Sequence, residues 1–366
     1  MINRSICFIF FLIVVINLNC GSDEAAYTEE IIDGVRHVHN IAPAWGENPK
    51  VELKLVKKIG DLEAEEDHLI FYRPSGFARD SQGNRFVMDS GNFRIVMFDR
   101  DWNFVRTIGR EGEGPGEFTD SVHGLDVDGN DRLVTHNPLS RKVQFLSSEG
   151  KYIDGFSHAA ARVFYYEYAI LENGKIAAAL ITMPYLENYE EEGIVKFYDT
   201  EGKFLEKAGK IDPGEEEIYF EVYNGIYMDA AKNNTVVVAY QYMNKIAKFS
   251  DNGSTLWTAD RPLDYEIRHS VAESFTTETT AGVAVDEKNR IWVLTFKQQP
   301  ENNQGMPNTL KDHDIIFFEI FDENGKLLGS IPTPNHVTAI RIFGDNLYMI
   351  DTYTNHCVYE YQIIEK

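Results

Sequence analysis

The chain reads as an all-β protein, a six-bladed β-propeller with four antiparallel strands in each blade, and three observations lead there. Short lines of alternating apolar and polar residues recur along its 366 residues. Turns rich in Asp, Asn and Gly separate them, as strands joined by tight turns require. An aromatic residue marks the same place in each repeat: Phe98, Phe145, Phe197, Phe249, Phe321 and Tyr361, at steps of 47, 52, 52, 72 and 40 residues. A four-strand unit returning six times at this spacing indicates blades around an axis.

The elements follow in chain order. Residues 1–19 carry Arg4 as their only charge and a nearly continuous apolar run from Ile6 to Ile16, which is the pattern of a secretory signal peptide. The run is too short for a spanning helix. Leu18-Asn19-Cys20, followed by Gly21-Ser22-Asp23-Glu24, resembles the lipobox of bacterial lipoproteins, with Asn19 where a small residue usually stands. That resemblance implies a lipid on Cys20 and a membrane anchor. Ser22-Asp23-Glu24 is similar to the acidic tag of surface-exposed lipoproteins in some Gram-negative phyla, so an outer-membrane lipoprotein facing outward is expected.

Residues 20–50 lack strong periodicity and are expected to be a linker that holds a propeller, residues 51–366, away from the bilayer. Of three cysteines, Cys7 lies in the signal and Cys20 is assigned to lipid, leaving Cys357 alone. No intrachain disulfide is then available, and stability must come from packing.

Closure of the ring is written in the ends. The line "FVRTIG" at 104–109 returns as "FLEKAG" at 204–209 and, before the first complete unit, as "LVKKIG" at 55–60. The last unit has only three strands. Residues 51–60 are therefore expected to supply its outer strand beside 357–364, hiding both chain ends.

Residues 72–118, "YRPSGFARDSQGNRFVMDSGNFRIVMFDRDWNFVRTIGREGEGPGEF", resemble the NHL repeat, whose blade ends in a G-P-G-x-F loop. The resemblance is close in this blade and holds at pattern level in the other five; it implies a bacterial NHL-like six-bladed propeller over 51–366. Fold likeness carries no function with it. The glycines are not a phosphate cradle: Gly112, Gly114 and Gly116 alternate with Glu111, Glu113 and Glu117, and no lysine follows.

A formal net charge of -23 disfavours nucleic acid and anionic membrane surfaces as partners. Acidic runs at 63–67, 190–192 and 215–217 read as solvated loops. A neutral or cationic glycan, peptide or protein is the expected partner, with the lipid as the sole membrane contact.

Strand parity places the working surface. With strands a to d running from axis to rim, b–c loops and d–a connections share one face. The two long insertions, 182–193 and 298–314, are both b–c loops, and irregular loops on a regular scaffold mark function. Around the channel mouth on that face should stand Ser75, His123, Tyr168, Asn224, Ala281 and Thr338 before the inner strands. Asp89, His136, Tyr240, Thr295 and Asp351 should end the b strands, with Arg94, Arg141, Lys245 and His356 opening c strands.

Three readings of this collar compete. His123, His136 and Asp89 could hold a metal, zinc or calcium, as histidines do in propeller lyases on a similar scaffold. Arg94, Arg141 and Asp351, with Tyr240 and Tyr242, could contact a sugar or peptide with no cofactor, and His123, His136 and Asn224 are further candidates for ligand contact. Or the residues simply close the tunnel: Asp89 then caps the Ser90-Gly91-Asn92 turn, and Arg94 packs and forms a salt bridge. Binding without catalysis is the favoured reading, and a metal-dependent hydrolase or lyase the alternative.

Two motifs are set aside. Asp126 to Asp131, "DVDGND", opens like a calcium loop but has Thr135-His136-Asn137 where the closing glutamate belongs, so it reads as an a–b hairpin. Ser270 beside His269 lacks a nucleophile context, and Cys357 on a covered c strand reads as a buried small hydrophobe.

Overall fold

Val51–Ile59 pairs antiparallel with Cys357–Glu365, from Val51 opposite Glu365 to Ile59 opposite Val358. The first strand of the propeller thereby becomes the outer strand of its last blade, whose other two strands, Asn346–Asp351 and Ala339–Phe343, lie further in towards the axis. The ring is closed as the sequence predicts. The computed structural model describes residues 25–119, 124–137, 142–157, 163–182, 193–211, 224–270, 275–298, 302–303, 306–307 and 315–366.

Six antiparallel blades surround the axis. Their inner strands are Pro74–Arg79, Gly124–Val127, Val163–Ile170, Ile226–Ala231, Thr280–Val285 and Ala339–Phe343. Between blades lies the core. Among the described residues its apolar side chains form six clusters, each joining two neighbouring blades; one unites Phe86 and Ile95 with Leu125 and Leu146, another Phe77 and Phe98 with Tyr348 and Val358. All six aromatic markers are buried there. Burying each such side chain contributes about 1.5–3 kcal/mol, which explains why the repeat keeps an aromatic at that place.

The recurring aspartates have an equally local cause. Asp80 Oδ1 accepts the N–H groups of Gln82 at 3.0 Å and Asn84 at 2.8 Å. Asp99, Asp128, Asp199, Asp286 and Asp322 each accept the amides two and four residues on in the same way. A short carboxylate satisfies two turn amides that the ladder leaves unpaired. "DVDGND" is accordingly the a–b hairpin expected, with Asp128 Oδ2 also bound to Arg132.

The glycine-rich loop receives an anion of its own. Glu117 accepts Gly114 N–H at 2.9 Å and pairs with Arg110 at 2.8 Å, while Phe118 N–H closes on Arg110 O. Gly109, at φ +84°, lies against the buried Phe118 ring; an added Cβ would stand 2.1 Å from it. The loop is a folded turn between blades. Cys357 is buried, and burial pushes its thiol up to about 11, the inert character expected of it.

One expectation fails. The stretch 20–50, read as a linker, is folded from Tyr27 onward. Tyr27–Ile32 and Val35–Asn40 form a hairpin, and the second strand pairs parallel with Thr255–Asp260, extending blade four to six strands. Ala44 and Trp45 then donate to Leu327 O and Leu328 O of blade five. Three residues of the second strand tie this strap down. Val38 is buried in the blade-four core, Asn40 bonds Asp260 O, Gly325 O and Leu327 N, and His39 meets Asp260 at 2.6 Å. Six-residue strands carry too weak an alternation to be seen without their partner, because the pairing edge is supplied by tertiary structure.

Candidate functional site

The b–c loops and d–a connections share one face, as parity requires. Ile176–Thr182 leads to Val195–Tyr198, and Ile291–Phe296 to Ile316–Phe321, so both long insertions join b to c. Most of their residues lie outside the described residues, as do His123, Arg141 and Cys20.

The described members of the collar divide into two kinds. Asp89 and Asp351 are buried structural acceptors. Asp89 takes Tyr72 N–H at 2.7 Å, Asn92 Nδ2 at 2.8 Å and Arg94 Nε at 2.8 Å. It thus holds the Ser90–Asn92 turn through the Asn92 side chain rather than by a helix cap. Asp351 takes Thr354 N–H at 2.8 Å and Asn355 Nδ2 at 2.7 Å and faces His336 Nδ1 at 3.3 Å. Burial pushes the Asp351 carboxyl up, yet hydrogen bonds from His336, Thr354 and Asn355 outweigh it and hold the pKa below the ordinary value. Arg94, bonded also to Asp67 O and Ile70 O, is the packing and salt-bridge residue expected.

His136 is buried with its ring 4.0 Å from that of Tyr168. Tyr168 itself is displaced from the expected collar position: the inner strand starts at Val163 and an irregularity between Tyr165 and Tyr168 sets Tyr168 opposite Ala178 inside the blade. Among the described residues no three His, Cys, Asp or Glu side chains converge as a metal site.

The second kind gathers at blades four and five. Asn224 is buried beside the start of Ile226–Ala231, and Tyr240 ends the adjacent b strand with Lys245 Nζ 4.7 Å above its ring. Tyr242 follows in the b–c loop, close enough to act electrostatically on Tyr227. The connection from Asp260 to Thr280 adds what sequence reasoning missed. It carries Arg261, Tyr265, a two-residue ladder from His269–Ser270 to Phe275–Thr276, and Glu278. Glu278 Oε1 accepts Gln241 Nε2 at 2.8 Å, while Oε2 is buried without a hydrogen-bond partner. Burial pushes this carboxyl up to about 7, and pushes the Tyr265 phenol up to about 12.

A further missed set lines the axis. Asp126, Glu167, Asp229 and Arg341 stand on four different inner strands, and each is only half-buried. Tyr227 lies two residues from Asp229 and so on the same side of its strand. Burial raises the Asp126 carboxyl to about 6 and that of Glu167 to about 7, and raises Asp229 as well; Arg341 opposes all three shifts. Single charged residues inside otherwise apolar inner strands, "GLDV" and "AIRIF", are the signal that could have revealed them.

Comparisons with known proteins bear on the fold. Residues 62–168 match a family model, DUF5128, described as a 6-bladed beta-propeller. No curated protein matches the chain. A solved structure of a member of the DUF4221 family from Bacteroides vulgatus is 11% identical with a TM-score of 0.60, covering 87% of this chain and 99% of that one. A putative exported protein from Bacteroides fragilis is 12% identical with a TM-score of 0.56, covering 87% and 96%. A gluconolactonase from Xanthomonas campestris is 15% identical with a TM-score of 0.50, covering 80% and 87%. At these identities the likeness is one of fold, and the fold is a six-bladed β-propeller.

Proposed function

We propose that the protein is a cell-surface lipoprotein whose propeller binds a glycan, peptide or partner protein, without catalysis, at the b–c mouth of its channel. The observation that carries this reading is the grouping of the half-buried Tyr227, Tyr242 and Tyr265 with Gln241 and Glu278 at blades four and five. Tyrosines offer apolar faces with polar tips at low entropic cost, which suits recognition surfaces. The collar carboxylates Asp89 and Asp351 are taken up by structural donors, which agrees with the reading that neither is a catalytic acid or base.

A lipid on Cys20 would leave six residues, Gly21 to Ala26, before the hairpin begins. The disc is then held close to the bilayer with the edge of blade four nearest. Labelling cells with a fatty-acid probe tests the anchor: the label should vanish in Cys20→Ser, and its persistence would refute lipidation there.

A glycan and peptide array tests the binding. A ligand of the wild-type protein should be lost or weakened in Tyr242→Ala and Gln241→Ala. Ligands that bind both variants undiminished would place recognition elsewhere.

A further inference from the structure

The turn face of the disc, opposite the insertions, carries a cleft of about 450 Å³ where blades one and six meet. Its walls are the a–b turn after Pro74–Arg79, the c–d turn between Arg94–Phe98 and Phe104–Ile108, and Asn346 at the head of blade six's second strand. Apart from Gly83, every lining residue is polar. Three are arginines, Arg79, Arg85 and Arg100, and one is acidic, Asp101, in a chain whose net charge is -23.

The three arginines are held differently. Arg85 is 8% exposed, and its Nη2 donates to Glu360 Oε1 at 2.8 Å, its Nη1 to Arg100 O, while its Nε is buried without a hydrogen-bond partner. Glu360 thus neutralises Arg85, and Arg85 fixes the backbone that carries Arg100. Arg79 is half-buried and has no carboxylate partner among the described residues; Nη1 reaches only Phe343 O, at a long 3.4 Å. Arg94, Arg132, Arg261 and Arg290, by contrast, each lie 2.7–3.2 Å from a carboxylate oxygen.

The acids of the adjoining turns and strands are taken by other donors. Asp80 holds the amides of Gln82 and Asn84, Asp131 accepts Ser81 N–H at 2.8 Å and Oγ–H at 2.6 Å, and Glu360 also accepts Trp102 Nε1. Asp101 stands 3.8 Å from Arg100 Nε with both side chains in water, a pairing worth little. Two guanidiniums therefore keep charge to offer. They flank one gap: a Cβ added to Gly83 would stand 3.4 Å from Arg100 Cβ and 4.0 Å from Arg79 Nη2. The side-chain amides of Gln82 and Asn346 line the same cleft and make no hydrogen bond among the described residues.

We propose that this cleft binds an acidic saccharide, with its sulfate, phosphate or carboxylate group on Arg79 and Arg100 and its hydroxyls on Gln82 and Asn346. A guanidinium is a rigid fork of donors that matches an oxyanion, and side-chain amides both donate to and accept from hydroxyl groups. A volume near 450 Å³ falls within the range of small-molecule sites, about 300–1,000 Å³, and exceeds what a bare ion fills. With no apolar side chain in the lining, an aliphatic or aromatic acid has nothing to bury. The cleft lies on the face opposite the b–c mouth, so it stands or falls apart from the binding reading above.

The test is calorimetry of the full-length protein with glucose-6-sulfate, glucose-6-phosphate and methyl glucuronide, against methyl glucoside, inorganic sulfate and butyrate. Saturable binding that weakens as salt rises is expected for at least one acidic sugar, about tenfold tighter than for every control. Arg79→Gln should abolish that margin. Arg79→Lys should lose most of it, since an ammonium keeps the charge and not the fork, and Asp101→Asn should tighten binding. Arg100→Gln, at an exposed side chain, should weaken the acidic sugar too and serves if Arg79→Gln does not fold. No saturable binding of any acidic sugar at millimolar concentration, inorganic sulfate or methyl glucoside bound as tightly, or unchanged affinity in the arginine variants would each overturn the proposal. Acidic-sugar binding lost in Tyr242→Ala and intact in Arg79→Gln would also overturn it, and would leave the binding reading standing.

Discussion

Arg261 and Glu319 form an ion pair inside the ring, Nε to Oε2 at 3.2 Å, with both side chains closed to water. Arg261 also donates to Thr279 O at 3.0 Å and Thr280 Oγ1 at 2.6 Å, and Glu319 accepts Thr295 Oγ1 at 2.8 Å. Burial pushes the Arg261 pKa down and the Glu319 pKa up, and each partner counters the other's shift. The pair ties the start of the 261–279 connection to blade five, and so positions Tyr265 and Glu278 at the mouth.

Removing one partner leaves a buried charge uncompensated. Arg261→Ala should cost about 3–5 kcal/mol in denaturant unfolding, whereas replacing both residues by methionine should cost far less. A loss near zero in the single variant would mean that the pair is solvated.

Ring closure makes the two N-terminal segments unequal. Deleting residues 25–41 removes the strap but leaves blade four with its own four strands, so a cooperative transition at lower temperature is expected by calorimetry. Deleting through Gly60 also removes Val51 and Ile59 from the core and bares the edge of Cys357–Glu365, an unpaired strand prone to aggregation. That variant should lose its cooperative transition. Similar melting of both deletions would contradict closure by this strand.

The strap should be held most firmly in acid. The hydrogen bond to Asp260 is the largest influence on His39; burial opposes it, Glu30 assists, and the imidazole pKa stands above its ordinary value. A raised pKa means that the folded state favours the protonated ring. Its contribution is therefore fully present below about 6.5, the unfolded value, and is lost as pH rises through the folded value. Hydrogen exchange across Val35–Asn40 should quicken above neutrality in the wild-type protein, and His39→Gln should flatten that dependence. Exchange that slows with pH beyond its intrinsic trend in both proteins would contradict the sign.

The propeller was legible because its determinants are local and repeated. Buried aromatics from Phe98 to Tyr361 and turn aspartates from Asp80 to Asp322 each solve the same packing or hydrogen-bonding problem in blade after blade. The collar was legible only in part. Parity located the face that carries the insertions, and Tyr240, Tyr242 and Asn224 come at that end of blade four, but Tyr240 and Asn224 are buried, and Asp89 and Asp351 belong to turns that sequence cannot distinguish from a collar. Asp126, Glu167, Asp229 and Arg341 are solitary in sequence and come onto neighbouring positions of the axis only once the ring has closed. Tyr27–Asn40 escaped notice for the same reason, since its partner strand is 220 residues away in the contact between Asn40 and Asp260.

The central claim is that recognition occurs at the b–c mouth of the channel. Hydrogen–deuterium exchange of the mature protein with and without an array-selected ligand tests it most directly. Protection is predicted over 224–228, 240–245 and 261–280. Protection confined to the opposite turns, around Asp80, Asp128 and Asp286, would contradict it.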